Sequence, residues 1–440
     1  MDIRDPVHGP IYLSDVETSV VESPYFQRLR SIKQLGFSDL TWPGATHSRF
    51  LHSLGAMHVA GLAFDAVFRQ APWLPPLERQ RFRQILRLAA LCHDLGHPPL
   101  SHTSEVLLPL LRDLPLPGVR LSAADLDRQA SHEHFTLKFL LDSQLTNLLH
   151  HTGRPLGIAP HHVAALLSES VEVDDAVFRC DGRQLQHILA SLVSSELDVD
   201  RMDYLLRDSY FTGVSYGRFD LDWLVNHLTH FEAEDGHLHL ALQERAIFTF
   251  DDFMLSRHHM FLMVYFHKKS VCYDHMLRRF YAQFPQACQA SADPEAYLAL
   301  DDHVVWRALR DHVGQSNWAA GIVHMNPLKM LAESTPLGTQ EPMAELAQTL
   351  TSQEIPHLHV TSTGALSKYH SNDHARSIFV RRQPPVGRAW FQPLAQATQL
   401  FKRYAETTVL ERVYVPAEHL AHAADLLLQL RGQSTPPEAH

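Results

Sequence analysis

Apolar positions recur at helical spacing through most of the first 330 residues. Between 47 and 69, Phe50, Leu54, Met57 and Leu62 share one face. Between 77 and 97, Phe82, Ile85, Leu86, Ala89 and Leu91 form a broader one, and the pattern stops at Pro98-Pro99, which cannot continue a helix. Segments 132–150, 160–168, 184–209, 220–229, 252–284 and 294–313 carry the same signal. Strand signals are sparse: HLHLAL (237–242) alternates after the tight-turn dipeptide Asp235-Gly236, and IRDPVHGPIYL near the N-terminus predicts a small ribbon. Beyond TPLGTQEP (335–342) the character changes. HLHVTST (357–363), SIFVRR (377–382) and VYVP (413–416) are β-rich and flank a helical AQATQLFKRYAE (395–406). The expected fold class is mainly α: a helical body over 1–335 with small β-hairpins, a small α+β subdomain over 336–431, and a polar, disordered tail over 432–440.

Composition narrows the function classes. The 440 residues, 45% apolar, suffice for a large core. With 38 basic against 49 acidic residues and a net charge of -11, coating duplex DNA or an anionic membrane is disfavoured, although a local basic pocket is allowed. Cys92, Cys180, Cys272 and Cys288 lie far apart, so neither a disulfide framework nor a cysteine zinc site is expected. MDIRDPVHGP has no signal-peptide pattern, and no apolar run approaches the about 18 residues of a membrane span; a cytoplasmic, membrane-free protein is expected. The 32 histidines are an excess whose meaning depends on position.

Three stretches carry chemistry: HSRFLHS (47–53), CHDLGHPPLSHTSE (92–105) and DVDRMDYLLRD (198–208). His93 and Asp94 follow an apolar helix face, where a carboxylate is costly unless paired or bound to a cation. Adjacent helix positions diverge by about 100°, so the two side chains can reach one ion, and His97 follows one turn later. Asp200, Tyr204 and Asp208 form an i, i+4, i+8 stripe, and Arg49 and His52 are helix neighbours. Two imidazoles and two carboxylates from three helices make a mixed nitrogen/oxygen set, suited to Mn, Fe, Zn, Co or Ni rather than calcium. Taken singly, each residue has a bland reading, from helix-surface acid to core cysteine; the joint pattern does not.

Together with DPVHGPIYL and FQRLRSIKQLG (within 5–36) and PGATHSRF (43–50), these motifs resemble the HD-domain phosphohydrolases, and within them the deoxynucleoside triphosphate triphosphohydrolase branch, over roughly residues 2–330. The resemblance implies an HD helical core at about 45–210, in the bacterial-type arrangement without a preceding SAM-like domain. It places metal ligands on His52, His93, Asp94 and Asp200, for a divalent transition metal, and is compatible with a second Mg or Mn ion. Its further histidines fall on His97 and His102, and its His-Glu dyad on His132-Glu133. Glu105 stands where vertebrate members carry Asp, and Arg201 replaces a lysine, which keeps the charge but changes its geometry. Arg49, Arg201, Tyr204, Asp208 and Lys268 are implied to contact phosphates or orient their ligands, while Gln34, Leu35 and Tyr265 line the sugar pocket. Arg257, Tyr265, His267 and Lys268 recur in order in SRHHMFLMVYFHKKS (256–270).

The implied reaction is hydrolysis of a dNTP to deoxynucleoside and triphosphate by water attack at the α-phosphorus. His102 would protonate the leaving oxygen, with His132, oriented by Glu133, as the other candidate. Two rivals stand beside it. One is an HD-type phosphodiesterase or nuclease on DNA ends or single strands, for which Arg381-Arg382, Arg388 and Lys402-Arg403 offer local basic charge. The other is a non-catalytic nucleotide sensor. Family members also form homo-oligomers, and Gln27 and Arg30 fall where some bind an activating nucleotide.

Overall fold

The computed structural model describes residues 1–335, 338, 340–364, 378–398, 400 and 408–433. The architecture is mainly helical with small sheets. Its centre is helix α1 (Arg49–Val67), which packs against α2 (Pro76–Cys92) and against a later helix, Val199–Thr212. Proline at the first position of α2 suits a helix start, since its missing N–H would have no partner there. Alone among the described helices, α1 is long and apolar enough to cross a membrane; it is mostly buried inside the protein.

Several continuous helical patterns are broken in the structure, each at a capping residue. The segment 132–150 is two helices, α3 (His132–Leu141) and Gln144–Gly153, with the Ser143 hydroxyl accepting from the Leu145 N–H. The segment 184–209 is Gln186–Val193 and α4 (Val199–Thr212), separated by a loop in which Asp198 caps α4 through the Arg201 N–H. The segment 252–284 is α5 (Ile247–Met260), a π-helical turn over Phe261–Tyr265, and α6 (Lys268–Gln283) capped by His267. Single-turn π segments are frequent at functional sites. α2 ends at Cys92, so His93, Asp94 and His97 sit in the following turn rather than on the helix itself. The segment 220–229 is a short helix, Leu221–Asn226, that runs into a strand, and 294–313 is Pro294–Tyr297 and Asp302–Asp311.

The N-terminal ribbon is antiparallel, β1 (Asp2–Asp5) against β2 (Gly9–Tyr12), with Ile3 opposite Ile11. The hairpin of β3 (Leu228–Glu232) and β4 (Leu238–Gln243) is joined from far along the chain. There β7 (Phe379–Arg382) lies parallel to β4 and β8 (Trp390–Pro393) closes the edge. A second sheet places β9 (Thr408–Val415) between β5 (Lys329–Ser334) and β6 (Leu358–Gly364). Of the helix expected over 395–406, Leu394–Ala397 is helical, while 399 and 401–406, with Lys402 and Arg403, lie outside the described residues, as does 434–440 of the tail.

Two glycines let the elements close up. A Cβ on Gly55 of α1 would stand 1.9 Å from an Asp203 carboxylate oxygen, and one on Gly96 would stand 2.1 Å from the His132 carbonyl oxygen of α3. A buried ion pair ties the first helix, Asp15–Glu22, to α2: Glu17, fully buried, accepts from Arg87 at 2.7 and 2.8 Å, from Gln84 at 2.7 Å and from the Ser14 N–H at 2.9 Å. Burial opposes its ionisation, but Arg87 outweighs it and holds the Glu17 carboxyl below its ordinary value.

Gly96→Ala collides with backbone, which cannot rotate away, and is expected to cost about 1–3 kcal/mol in urea unfolding; Gly314→Ala, with open space around its Cβ, serves as the neutral control. Glu17→Gln strands the Arg87 charge and is expected to cost about 3 kcal/mol at neutral pH. Because the folded-state pKa is depressed, the Glu17 contribution is present above its unfolded value of 4.5 and fades as pH falls through the lower folded value. The wild-type advantage over Glu17→Gln in the same unfolding experiment therefore shrinks in acid.

Candidate metal centre and surrounding cavity

The three sequence stretches meet at one cavity of about 570 Å³. Its wall includes His52 from α1, His93 and Asp94 from the turn after α2, and Asp200, Tyr204 and Asp208 from α4. The stripe expected on Val199–Thr212 thus faces the cavity, and Tyr265 joins it from the π turn.

Four donor groups converge there. His52 Nε2 lies 2.9 Å from Asp200 Oδ1, 3.2 Å from His93 Nε2 and 3.8 Å from Asp94 Oδ2. His93 Nε2 lies 3.4 Å from Asp94 Oδ1 and 3.5 Å from Asp200 Oδ1. The far side of each imidazole is already engaged: His52 Nδ1 donates to Asp203 Oδ2 at 2.8 Å, and His93 Nδ1 donates to the Ala90 carbonyl at 2.7 Å. Such bonds fix the tautomer and aim both Nε2 lone pairs at one point, the arrangement of metal-ligating histidines. Bringing two ring nitrogens within 3.2 Å without a proton or cation between them is unfavourable, so this donor set fits a metal.

The electrostatics point the same way. Burial disfavours a charged His52, yet hydrogen bonds to the Asp200 and Asp203 carboxylates outweigh it and raise its pKa to about 10. Burial pushes Asp94 up, but Arg49, His93 and His52 together hold it far down, and Asp200 is likewise held down by His52 and His93. The site attracts positive charge. Arg49 Nη1 bonds Asp94 Oδ2 at 2.5 Å, and its Nη2 reaches the Ser101 hydroxyl.

A second histidine group sits on the same wall. One ring nitrogen each of His97, His102 and His132 lies within 4.8 Å of the others. Burial, then the Arg49 charge, keeps His97 neutral, and its Nδ1 is buried without a hydrogen-bond partner among the described residues. Glu105, not Glu133, orients His132: its Oε1 accepts from His132 Nδ1 at 2.6 Å and faces His102 Nδ1 at 3.3 Å, whereas Glu133 is exposed at the cavity rim. The adjacent dipeptide misled because successive residues of α3 point about 100° apart. Burial resists ionisation of Glu105, but His102 and His132 hold its carboxyl well below the usual range.

Gln34 and Leu35 line the cavity, and the buried Gln34 Oε1 has no partner among the described residues. Arg201, Arg257, His267 and Lys268 do not line it. Arg201 and Arg257 share Glu196 Oε2, at 2.8 and 3.2 Å. His267 caps α6, and the Lys268 side chain is exposed. Sequence reasoning missed two orienting residues. Asp203 backs His52, and His47 donates to Asp208 Oδ1 at 2.7 Å while Tyr265 donates to Asp208 Oδ2 at 2.8 Å. The i, i+4 pair Asp203–Arg207, off the Asp200 stripe, was the available signal for the first.

Residues 49–179 match the HD domain family model. An uncharacterised protein of Methanocaldococcus jannaschii, MJ1154, is 31% identical over 308 residues, covering 70% of this chain and 54% of that protein. The human deoxynucleoside triphosphate triphosphohydrolase SAMHD1 is 27% identical over 364 residues, covering 76% of this chain and 55% of its own length. The chain thus spans about half the length of the curated relatives it matches. The crystal structure of a hypothetical protein from Aquifex aeolicus superposes with a TM-score of 0.73 at 26% identity, covering 97% of this chain and 99% of that one. Residues 49–179 thus carry an HD domain whose motif histidines and aspartates meet at one cavity, and over the helical body the chain is similar to proteins that include SAMHD1.

Proposed function

We propose that the protein is a metal-dependent hydrolase of deoxynucleoside triphosphates, releasing deoxynucleoside and inorganic triphosphate. The observation that carries this reading is the convergence of His52, His93, Asp94 and Asp200, backed by Asp203 and the Ala90 carbonyl, on the wall of a cavity large enough for a nucleotide. A divalent transition metal held by those four residues would polarise a phosphoryl oxygen and lower the pKa of water.

The chain's own residues supply the rest. Arg49, held by Asp94 and Ser101, presents a fixed guanidinium to the phosphates. His102 is exposed in the cavity and faces Glu105, which supports its giving a proton to the departing O5′ oxygen. His132, carried by the same Glu105 oxygen and stacked on neutral His97, shares that carboxylate. Gln34, with its unpartnered Oε1, and the Tyr265–Asp208 pair suit the sugar hydroxyl, and Leu35 closes the apolar side of that subsite. Arg201, Arg257 and Lys268 would have to leave their present positions to touch phosphate, which leaves Arg49 as the cation already in the cavity wall. A nucleotide partner follows from the reading; homo-oligomer formation and an activating nucleotide near Gln27 and Arg30 are proposals on the family likeness, as is the choice among Mn, Fe, Zn, Co and Ni. The Gln27 amide oxygen accepts from Arg30 at 2.8 Å on an exposed surface.

Metal-loaded protein is expected to release triphosphate from dNTPs and to leave 3′-labelled single strands intact; nucleotide release from strand ends instead would establish the nuclease. Asp94→Asn should abolish turnover and lower bound metal measured by elemental analysis, with the helical circular dichroism unchanged, and surviving turnover would refute the metal assignment. Glu105→Gln should lower kcat by about 10²-fold, in the range of general acid catalysis, and by far more than Glu133→Gln; the reverse ranking would restore the His132-Glu133 dyad.

A further inference from the structure

The cavity has a carboxyl that the phosphohydrolase reading leaves without a task. Asp274, on α6, lines the wall together with Ser270 one turn before it, Ser38 and Thr103. These residues come from elements other than the metal-bearing ones: α6 packs against the 3₁₀ segments Gly36–Leu40 and Ser101–Leu107. Thr103 lies close enough to the Asp274 carboxyl to favour its ionised form, and the Ser38 hydroxyl donates to that of Ser270 at 3.4 Å. Among the described residues no cation touches the carboxyl; Arg278, one turn further along α6, is exposed and acts on it only through space.

Charge decides which part of a nucleotide can face this group. A triphosphate is repelled by a carboxylate and belongs with Arg49 and the metal ligands. The sugar subsite is spoken for by Gln34, Leu35, Asp208 and Tyr265, so Asp274 is left to the base. A carboxylate accepts only, and its two oxygens offer about four lone-pair sites. The complementary partner is a base edge with two adjacent N–H donors. Guanine presents N1–H beside N2–H₂, whereas adenine and cytosine each place one amino group beside an acceptor. Thymine flanks its single N–H with carbonyl oxygens that would oppose the carboxylate.

We propose that Asp274 reads the base and selects guanine, an inference that rests on the dNTP reading of the cavity. Burial supports it: with no cation in contact among the described residues, desolvation pushes the Asp274 carboxyl up to about 7, a cost that two ligand N–H groups would offset.

Calorimetry on the metal-loaded protein tests this without turnover, using 5′-methylene analogues of the dNTPs, whose C–P bond replaces the scissile O5′–P bond. The dGTP analogue should bind about 10- to 100-fold tighter than the dTTP analogue, the discrimination of one bidentate pair. The dITP analogue, which lacks the N2 amino group, should lose about tenfold of that advantage, and Asp274→Asn should bring the dGTP:dTTP ratio toward unity. Equal affinities in the wild type, a dITP analogue as tight as dGTP, a ratio unmoved by Asp274→Asn, or no binding of any analogue each overturns the proposal. Triphosphate release assayed in parallel separates the two ideas: turnover without a base ranking removes only the role of Asp274. Ranked binding without turnover removes only the hydrolytic reading.

Discussion

Arg207 has no exposed surface, and the site depends on how its charge is neutralised. Its guanidinium bonds Asp5 in the N-terminal ribbon at 2.8 Å and Asp203 in its own helix at 2.8 Å. Asp203 also accepts from His8 at 2.6 Å and from the metal-site residue His52 at 2.8 Å. A buried guanidinium without those carboxylates would be strongly destabilising, and breaking such a network costs far more than any one of its bonds is worth alone. The same network that keeps Arg207 in the core therefore locks the ribbon, α1 and α4 together and aims His52 Nε2 at Asp200. Gly55 is part of this constraint, because any side chain there would occupy the space of Asp203 and Arg207.

A second constraint shapes the histidine side of the cavity. Leu100 and Ser101 both have positive φ, 53° and 65°, a conformation that costs non-glycine residues free energy and persists only when the surroundings impose it. Asp302 imposes it from a distant helix: one carboxylate oxygen accepts from the Leu100 N–H at 2.8 Å and the other from the Lys33 N–H at 3.0 Å. Gly36, also at positive φ, leaves room for the Leu100 carbonyl. The loop so held carries Ser101, which anchors Arg49, and His102. The positions of Arg49 and His102 in the cavity wall thus rest on a carboxylate about 200 residues away in the chain, at Asp302.

The motif histidines and aspartates were legible because metal chemistry restricts residue types, and the helical class was legible because burial of one face imposes a 3.6-residue period. His52, His93, Asp94 and Asp200 meet where the motifs imply, and the i, i+4, i+8 stripe of α4 does face the cavity. Helix ends were less legible. The breaks at Ser143, Asp198 and His267 depend on side-chain caps that an apolar pattern does not register.

What the residue order by itself determined is therefore the chemistry on offer: which helices bury which faces, and which imidazoles and carboxylates are available near them. Which groups pair was decided by the fold, since pairing depends on side-chain direction across elements rather than on neighbourhood in the chain. Glu105 rather than Glu133 holds His132, Asp203 backs His52, and Glu196 draws Arg201 and Arg257 out of the cavity wall. The C-terminal strands β7 and β8 complete a sheet begun by β3 and β4 more than a hundred residues earlier, a parallel pairing that no local signal encodes.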